Sequence, residues 1–145
     1  MPEHNNSEQI NLDQAVNEPH AYYRVFDAKT RNSITAIAEK ISADSLVLDL
    51  GAGSGVLGEY LSTEKNCIVD GIDLNLQETK HSDCYRKIQS ANLETQSLAT
   101  LLSDQYDVIV CADLLEHLRS PQQLLVQLKD FVKADGSILL SVPNV

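Results

Sequence analysis

Stretches whose apolar residues recur roughly every three to four positions alternate with short runs that are apolar almost throughout, and that alternation predicts the elements. From Thr30 the period is helical, with Ile34, Ile37, Ala38 and Ile41 at i, i+3, i+4 and i+7 on one face. Ser42–Ser45 breaks it, and Leu46–Leu50 follows as a buried strand interrupted by one acid, Asp49. Val56 to about Thr63 reads as a helix with Leu57, Tyr60 and Leu61 on one side, and Cys67–Ile72 (CIVDGI) as a second strand ending in Asp73, Leu74 and Asn75. Leu76–Asp83 is polar and weakly periodic, so a short helix and a loop fit it equally. Tyr85–Gln89 (YRKIQ) predicts a third, polar strand suited to a sheet edge. Thr95–Ser103 is a helix or a loop with Leu98, Leu101 and Leu102. Asp107–Ala112 (DVIVCA) is a near-continuous β-branched run, a buried strand. Ser120 and Pro121 form an N-cap and first-turn pair that opens a helix carrying Leu124, Leu125, Leu128, Phe131 and Val132 on one face. Asp135-Gly136 predicts a turn, and Ser137–Val142 (SILLSV) the last strand.

Strands alternating with helices about five times imply crossover connections, a parallel sheet and helices on both faces: an α/β, doubly wound, Rossmann-like sheet of about five strands. In such sheets a ligand lies outside the carboxyl ends of the strands, near the point where strand order reverses. The fold would therefore collect Gly51–Gly55, Asp73–Asn75, Asn92–Glu94, Asp113–His117 and Asn144 along one rim. Residues 1–20 are polar and acidic, without a clear period, and read as a flexible arm ahead of one domain over 21–145.

Bulk properties narrow the class. The net charge of −10 and pI of about 4.6 argue against non-specific binding to nucleic acid or to an anionic membrane, which both need a basic face. Residues 1–13 have neither a basic nor an apolar segment of the secretory kind, and no apolar run reaches the ~20 residues that span a bilayer, so the expected location is the cytoplasm. Cys67, Cys84 and Cys111 are far apart in sequence, with no metal-ligand spacing, and read as small hydrophobes in a reducing compartment.

The chemistry centres on Leu46–Gly58, LVLDLGAGSGVLG. A strand running into a glycine-rich turn and then a helix gathers backbone N–H groups and a positive helix end, and glycine lets a ligand approach the backbone. Gly53-Ser-Gly55-Val-Leu-Gly58 matches G-x-G-x-x-G, and Asp73 stands 20 residues after Gly53, which suits a dinucleotide. The register opposes that reading. The strand ends at Leu50, so the turn begins at Gly51, and a pyrophosphate would meet the acid of Asp49. An acid there suits a cationic ligand without phosphate.

VLDLGAGSG (Val47–Gly55) resembles the first motif of the class I methyltransferases that use S-adenosylmethionine (SAM). Asp73, closing VDGID, resembles the family's ribose-binding acid, and Asn92-Leu93-Glu94 stands where the family often has an Asp-Leu pair near the adenine. Asp113–Leu118, followed by Pro121, Gly136 and Pro143-Asn144, is similar to the D-x-L-E-H…PN pattern of small-molecule and sugar O- or N-methyltransferases. The resemblance covers about Tyr22–Val145 and implies SAM as cofactor. It places Gly51, Ala52, Gly53 and Gly55 as a cradle for the methionine part, with an ordinary tight turn as the alternative. It also implies that Asp49 positions the ligand's amino end, where its residue type would otherwise cap the next helix. Asp73 would take the ribose hydroxyls beside Leu74, Asn92 and Leu93 would meet the adenine, and Ala112, Asp113 and Leu114 would wall the sulfonium.

His117 is the one histidine in a motif, and an imidazole can take a proton from an accepting hydroxyl with Glu116 orienting it; the alternative is a structural place for both residues, facing the helix or the adjacent loop. Tyr22, Tyr23 and Arg24 suit a lid, or a helix packed on the sheet. The family's sixth and seventh strands are absent from the pattern, so the domain reads as truncated after an exposed SILLSV edge, which a dimer or a partner domain would cover. The expected activity is methyl transfer to an O or N of a small molecule or sugar. The alternatives are a non-catalytic SAM-binding domain of a larger biosynthetic protein and, less well matched in register, an NAD(P) enzyme.

Overall fold

β1 (Leu46–Leu50) is the middle strand, and the rest of the sheet is laid out from it. The computed structural model describes residues 33–142; the arm over 1–20, the Tyr22–Arg24 lid and Pro143-Asn144 lie outside the described residues. The other elements are α1 (Ser33–Lys40), α2 (Val56–Glu64), β2 (Ile68–Asp73), β3 (Lys87–Ser90), α3 (Leu98–Leu101), β4 (Tyr106–Ala112), α4 (Pro121–Leu128) and β5 (Val132–Ser141). The five strands are parallel in the order β3-β2-β1-β4-β5, so the direction of winding reverses between β1 and β4.

Alternation along the strands divides the core. Val47, Val69, Val108 and Val110 face Ile34, Ile37 and Ala38 of α1 and Leu57 and Leu61 of α2. Leu48, Leu50, Ile72, Ile109 and Cys111 face Leu98 of α3 and Leu124 and Leu128 of α4. Cys67 and Cys111 are buried free thiols, as their strand-like settings suggest, and Cys84 is half-buried.

Several boundaries depart from the sequence pattern. Leu76–Asp83 holds no α-helix: it makes two 3-10 turns, Leu76–Glu78 and Ser82–Cys84, because its few apolar residues offer no continuous face to bury. Tyr85 lies outside β3, which is shorter than the expected Tyr85–Gln89 run and starts at Lys87. The α4 helix ends at Leu128, and Val132 already pairs with Tyr106 in β5. Pairing then resumes at Val108 with Ser137, so Asp135-Gly136, expected as a turn, falls in a bulge over 133–136 within one longer strand. Ser120 occupies the N-cap position without making a side-chain cap bond. Among the described residues β5 pairs only with β4, and Leu140 on it is 45% exposed.

Asp70, in the middle of β2, is 4% exposed. Its carboxylate accepts Arg86 Nε at 2.9 Å, Arg86 Nη2, and the Tyr106 hydroxyl at 2.7 Å. Arg86 also reaches Asp104 at 2.9 Å. Burial pushes the Asp70 carboxyl up, and the bonds from Arg86 and Tyr106 outweigh it, leaving the group below its ordinary range.

Candidate functional site

β1 and β2 run in register, Leu50 beside Ile72, so the turn after β1 emerges next to Asp73. Gly51, Gly53 and Gly55 have φ of +74°, +59° and +85°, a region that side chains other than glycine's enter with strain. The turn folds back on the end of β2. Gly51 and Ala52 donate their N–H groups to Ile72 O at 2.8 and 3.2 Å, Gly53 N–H donates to Asp73 Oδ2 at 2.8 Å, and Gly55 N–H to Ala52 O at 3.0 Å. These amides, expected to be free for a ligand, are used internally. Such a loop is a poor cradle for a pyrophosphate, which binds through open N–H groups, and this removes the main attraction of the G-x-G-x-x-G match.

The third glycine of that match has another cause. A Cβ on Gly58 would lie 2.2 Å from Tyr85 Cζ, and one on Gly71 2.8 Å from Tyr85 Cδ1. Both glycines admit a buried tyrosine rather than a ligand. The residues leading to Tyr85 lie across the turn as a strap: Thr79 Oγ1 donates to Gly53 O at 2.7 Å, Lys80 N–H to Ser54 O at 3.1 Å, and His81 Nδ1 stands 3.3 Å from Glu59 Oε2.

Beside the turn is a cavity of about 240 Å³ lined by Gly51, Asp73, Leu74, Asn92, Leu93, Leu114 and His117 among others. A second depression of about 400 Å³ adjoins it, sharing Leu93, Glu94 and Leu118. The cavity gathers residues from the ends of β1, β2, β3 and β4, at the reversal of strand order. Asp73 is half-buried at its wall, with its carboxylate oriented by Gly53 N–H on one oxygen and by Asn75 N–H, at 2.9 Å, on the other. Each oxygen keeps a second acceptor direction. Asn92 also shapes its own turn, with Oδ1 accepting Glu94 N–H at 2.9 Å.

Asp113 has φ of +48°, and its carboxylate is gripped by two hydroxyls, Ser33 Oγ at 3.0 Å and Ser141 Oγ at 2.9 Å. That turn brings Leu114 over the glycine loop, where a Cβ on Gly51 would lie 3.2 Å from Leu114 Cδ1. Ala112 is half-buried against the α1/α2 core. His117 follows on the 3-10 turn Leu115–His117, with Nε2 3.7 Å from Glu116 Oε1. His117 reaches the cavity and Glu116 is not among its lining residues.

Asp49 is 2% exposed and lies beneath the turn. It does not cap α2, whose N-cap position is Gly55. Its Oδ2 accepts the Tyr85 hydroxyl at 2.7 Å. Burial pushes its carboxyl up to about 6, the Tyr85 bond opposes this, and the nearby Asp73 charge adds to it. Asp49 is therefore a charge held at a cost to the fold. A folded pKa above the unfolded value gives stability below the unfolded pKa that is lost as pH rises through the folded one. Asp49→Asn is thus expected to gain on the wild type as pH rises from 4 to 7, reaching about 2–3 kcal/mol at pH 8. Urea denaturation at both ends of that range checks it, and a constant difference would count against the buried charge.

The sequence pattern missed Tyr85 as a partner of Asp49. Its signal was present: Gly71 interrupts the apolar run of β2, and a glycine inside a strand often marks close approach by another group.

Residues 20–145 match a family model described as a methyltransferase domain. The ubiquinone biosynthesis O-methyltransferase of Aeromonas salmonicida is 29% identical over 103 residues, 68% of this chain and 43% of the relative. That of Glaesserella parasuis is 31% identical over 108 residues, covering 68% and 45%. The chain thus spans a little under half the length of these relatives. In fold it is similar to coclaurine N-methyltransferase bound to N-methylheliamine and SAH, with a TM-score of 0.60 and 21% identity over 83% of this chain and 39% of that one. A SAM-dependent methyltransferase from Mesorhizobium loti gives a TM-score of 0.64 at 15% identity, covering 77% and 54%.

Proposed function

The chain belongs to the class I methyltransferase family, and on that premise we propose that residues 21–145 bind SAM and serve methyl transfer to an oxygen or nitrogen of a small molecule or sugar. The observation that carries this is the pairing of a glycine turn whose amides are used internally with an acid, Asp73, at the wall of the adjoining cavity. A ligand rich in hydroxyls and free of phosphate fits that pairing. The names of the curated relatives favour an oxygen acceptor.

In this reading Asp73 takes the ribose hydroxyls beside Leu74, Asn92 and Leu93 meet the adenine, and the turn from Gly51 through Ala52 and Gly53 to Gly55 supports the methionine part. Asp49 supplies the charge that faces the ammonium. Ala112, Asp113 and Leu114 wall the sulfonium, with Asp113 acting through its grip on Ser33 and Ser141 rather than by contact. SAM supplies a methyl group activated by the sulfonium, and alignment with exclusion of water provides much of the acceleration. His117, on the cavity wall, takes the acceptor's proton, with Glu116 at 3.7 Å orienting it.

No described helix is long and apolar enough to cross a membrane. The buried free thiols of Cys67 and Cys111 suit a reducing cytoplasm. The side of β5 left unpaired among the described residues is the face that a second copy or a partner domain covers. A stable monomer with slow amide exchange at Ile138–Leu140 would speak against that.

Calorimetric titration with SAH and with NAD tests the main reading. SAH is expected to bind and NAD not; binding of NAD alone would overturn it.

A further inference from the structure

Tyr85 lines none of the cavities described above, yet two secondary-structure elements give up side chains to admit it. Gly58 of α2 and Gly71 of β2 leave room for its ring, and Gly55 of the turn lies against the same edge, where a Cβ would stand 3.4 Å from Tyr85 Cε2. The ring is 7% exposed, and its hydroxyl ends at Asp49 Oδ2, 2.7 Å away and 36 residues distant in sequence. Packing alone would be met by phenylalanine. The placement of the hydroxyl on the one buried acid under the glycine turn is the feature that packing leaves unexplained.

We propose that Tyr85 is a positioning residue for the cofactor: its hydroxyl fixes the Asp49 carboxylate beneath the glycine turn, and through it the grip on the cofactor's methionine ammonium. The inference rests on the SAM-binding reading. The titratable groups on the Asp49 side of the sheet are Tyr85 from the strap and Asp73 at the end of β2, while the Cys111 thiol of β4 points to the opposite face and feels the Asp49 charge through the sheet. The thiol is pushed up to about 12 by burial and by the Asp49 charge, so it stays neutral. From α1 and α2, apolar side chains such as Ile37 and Leu61 pack on this side of the sheet. The Tyr85 hydroxyl is thus the donor that counters burial and holds Asp49 toward its ionised form. The backbone bonds of Lys80 and His81 to Ser54 O tie the segment leading to Tyr85 to the turn that it serves.

The test compares two probes, SAH and 5′-methylthioadenosine, which keeps the adenosine and lacks the amino acid. Both are titrated calorimetrically between pH 5 and 8 into the wild type and Tyr85→Phe. In the wild type, SAH affinity is expected to fall as pH drops through about 6 while methylthioadenosine affinity stays flat. In Tyr85→Phe, SAH is expected to bind about tenfold more weakly at pH 7, the usual scale for losing a hydrogen bond to a charged group. Its acid limb should move to higher pH, and methylthioadenosine should bind as before. Equal losses for the two probes, or an unmoved acid limb, would overturn the proposal. A wild type that binds neither probe would instead overturn the SAM-binding reading. Should Tyr85→Phe fail to fold, 3,5-difluorotyrosine at position 85 keeps ring and hydroxyl as a stronger donor. The acid limb should then move to lower pH, and an unmoved limb would again overturn the proposal.

Discussion

Replacing Arg86 by methionine is expected to lower the stability of the domain by about 2–3 kcal/mol. Removing one partner of a buried ion pair costs roughly 3–5 kcal/mol because the remaining charge is left without compensation. Two features place the expected loss below that range. The Arg86 side chain is 37% exposed, so part of its contribution is screened by water. The Tyr106 hydroxyl also stays on Asp70 after the substitution. The pH dependence separates this from a packing loss. In the wild type, Asp70 sits below its ordinary range, so its contribution is present above the unfolded pKa and is lost as pH falls through the lower folded value. In Arg86→Met the burial effect prevails and the carboxyl rises. The gap between the two proteins should therefore narrow as pH falls from 7 toward 4. Urea midpoints across that range measure it, and a gap independent of pH would show that the arginine's stem, not its charge, matters. Pairing Arg86→Met with Asp70→Leu should recover much of the loss, since both charges then leave together.

For Asp73→Ala the expected result is a loss of SAH affinity of about 10- to 100-fold, on the scale of charge-assisted hydrogen bonds to two hydroxyls. The carboxylate is already oriented by the Gly53 and Asn75 amides, so little ordering remains to be done on binding. Methylthioadenosine keeps the ribose, so it should lose affinity in parallel, unlike its behaviour toward Tyr85→Phe. Asp73→Asn retains the side-chain volume but only one acceptor oxygen, and should fall between alanine and the wild type. Unchanged affinity in the alanine variant would remove Asp73 from the ribose site.

What the sequence made legible was local. The strand-turn-helix at Leu46–Gly58, the acid closing β2 and the alternation that makes a parallel sheet are written within short windows. The register of β1 against the turn sufficed to discount a dinucleotide. What stayed hidden depends on pairs far apart in the chain. Tyr85 read as the first residue of a polar edge strand, while its place is set by Asp49 and by gaps at Gly58 and Gly71. Asp70 lies within the CIVDGI run with nothing nearby in sequence to mark its role, and its partners Arg86 and Tyr106 come 16 and 36 residues later. The strap over Leu76–Cys84 was ambiguous for a physical reason. It is held by hydrogen bonds to the glycine turn and not by an apolar face, so periodicity carries no sign of it.

The parallel sheet also bears on how the chain acquires its structure. Each pairing of parallel strands needs a crossover, so the described strands offer no hairpin as a local start. The central strand is completed late: the Leu46 amide donates to Asp107 at 2.8 Å, across 61 residues of chain. During synthesis β1 can gain β2 on one side while its other edge stays unpaired until β4 has left the ribosome. Closing such long loops before their contacts form is slow. The half-sheet of β1 and β2, carrying the glycine turn and Asp73, is thus the part of the domain most in need of protection from other chains before β4 arrives.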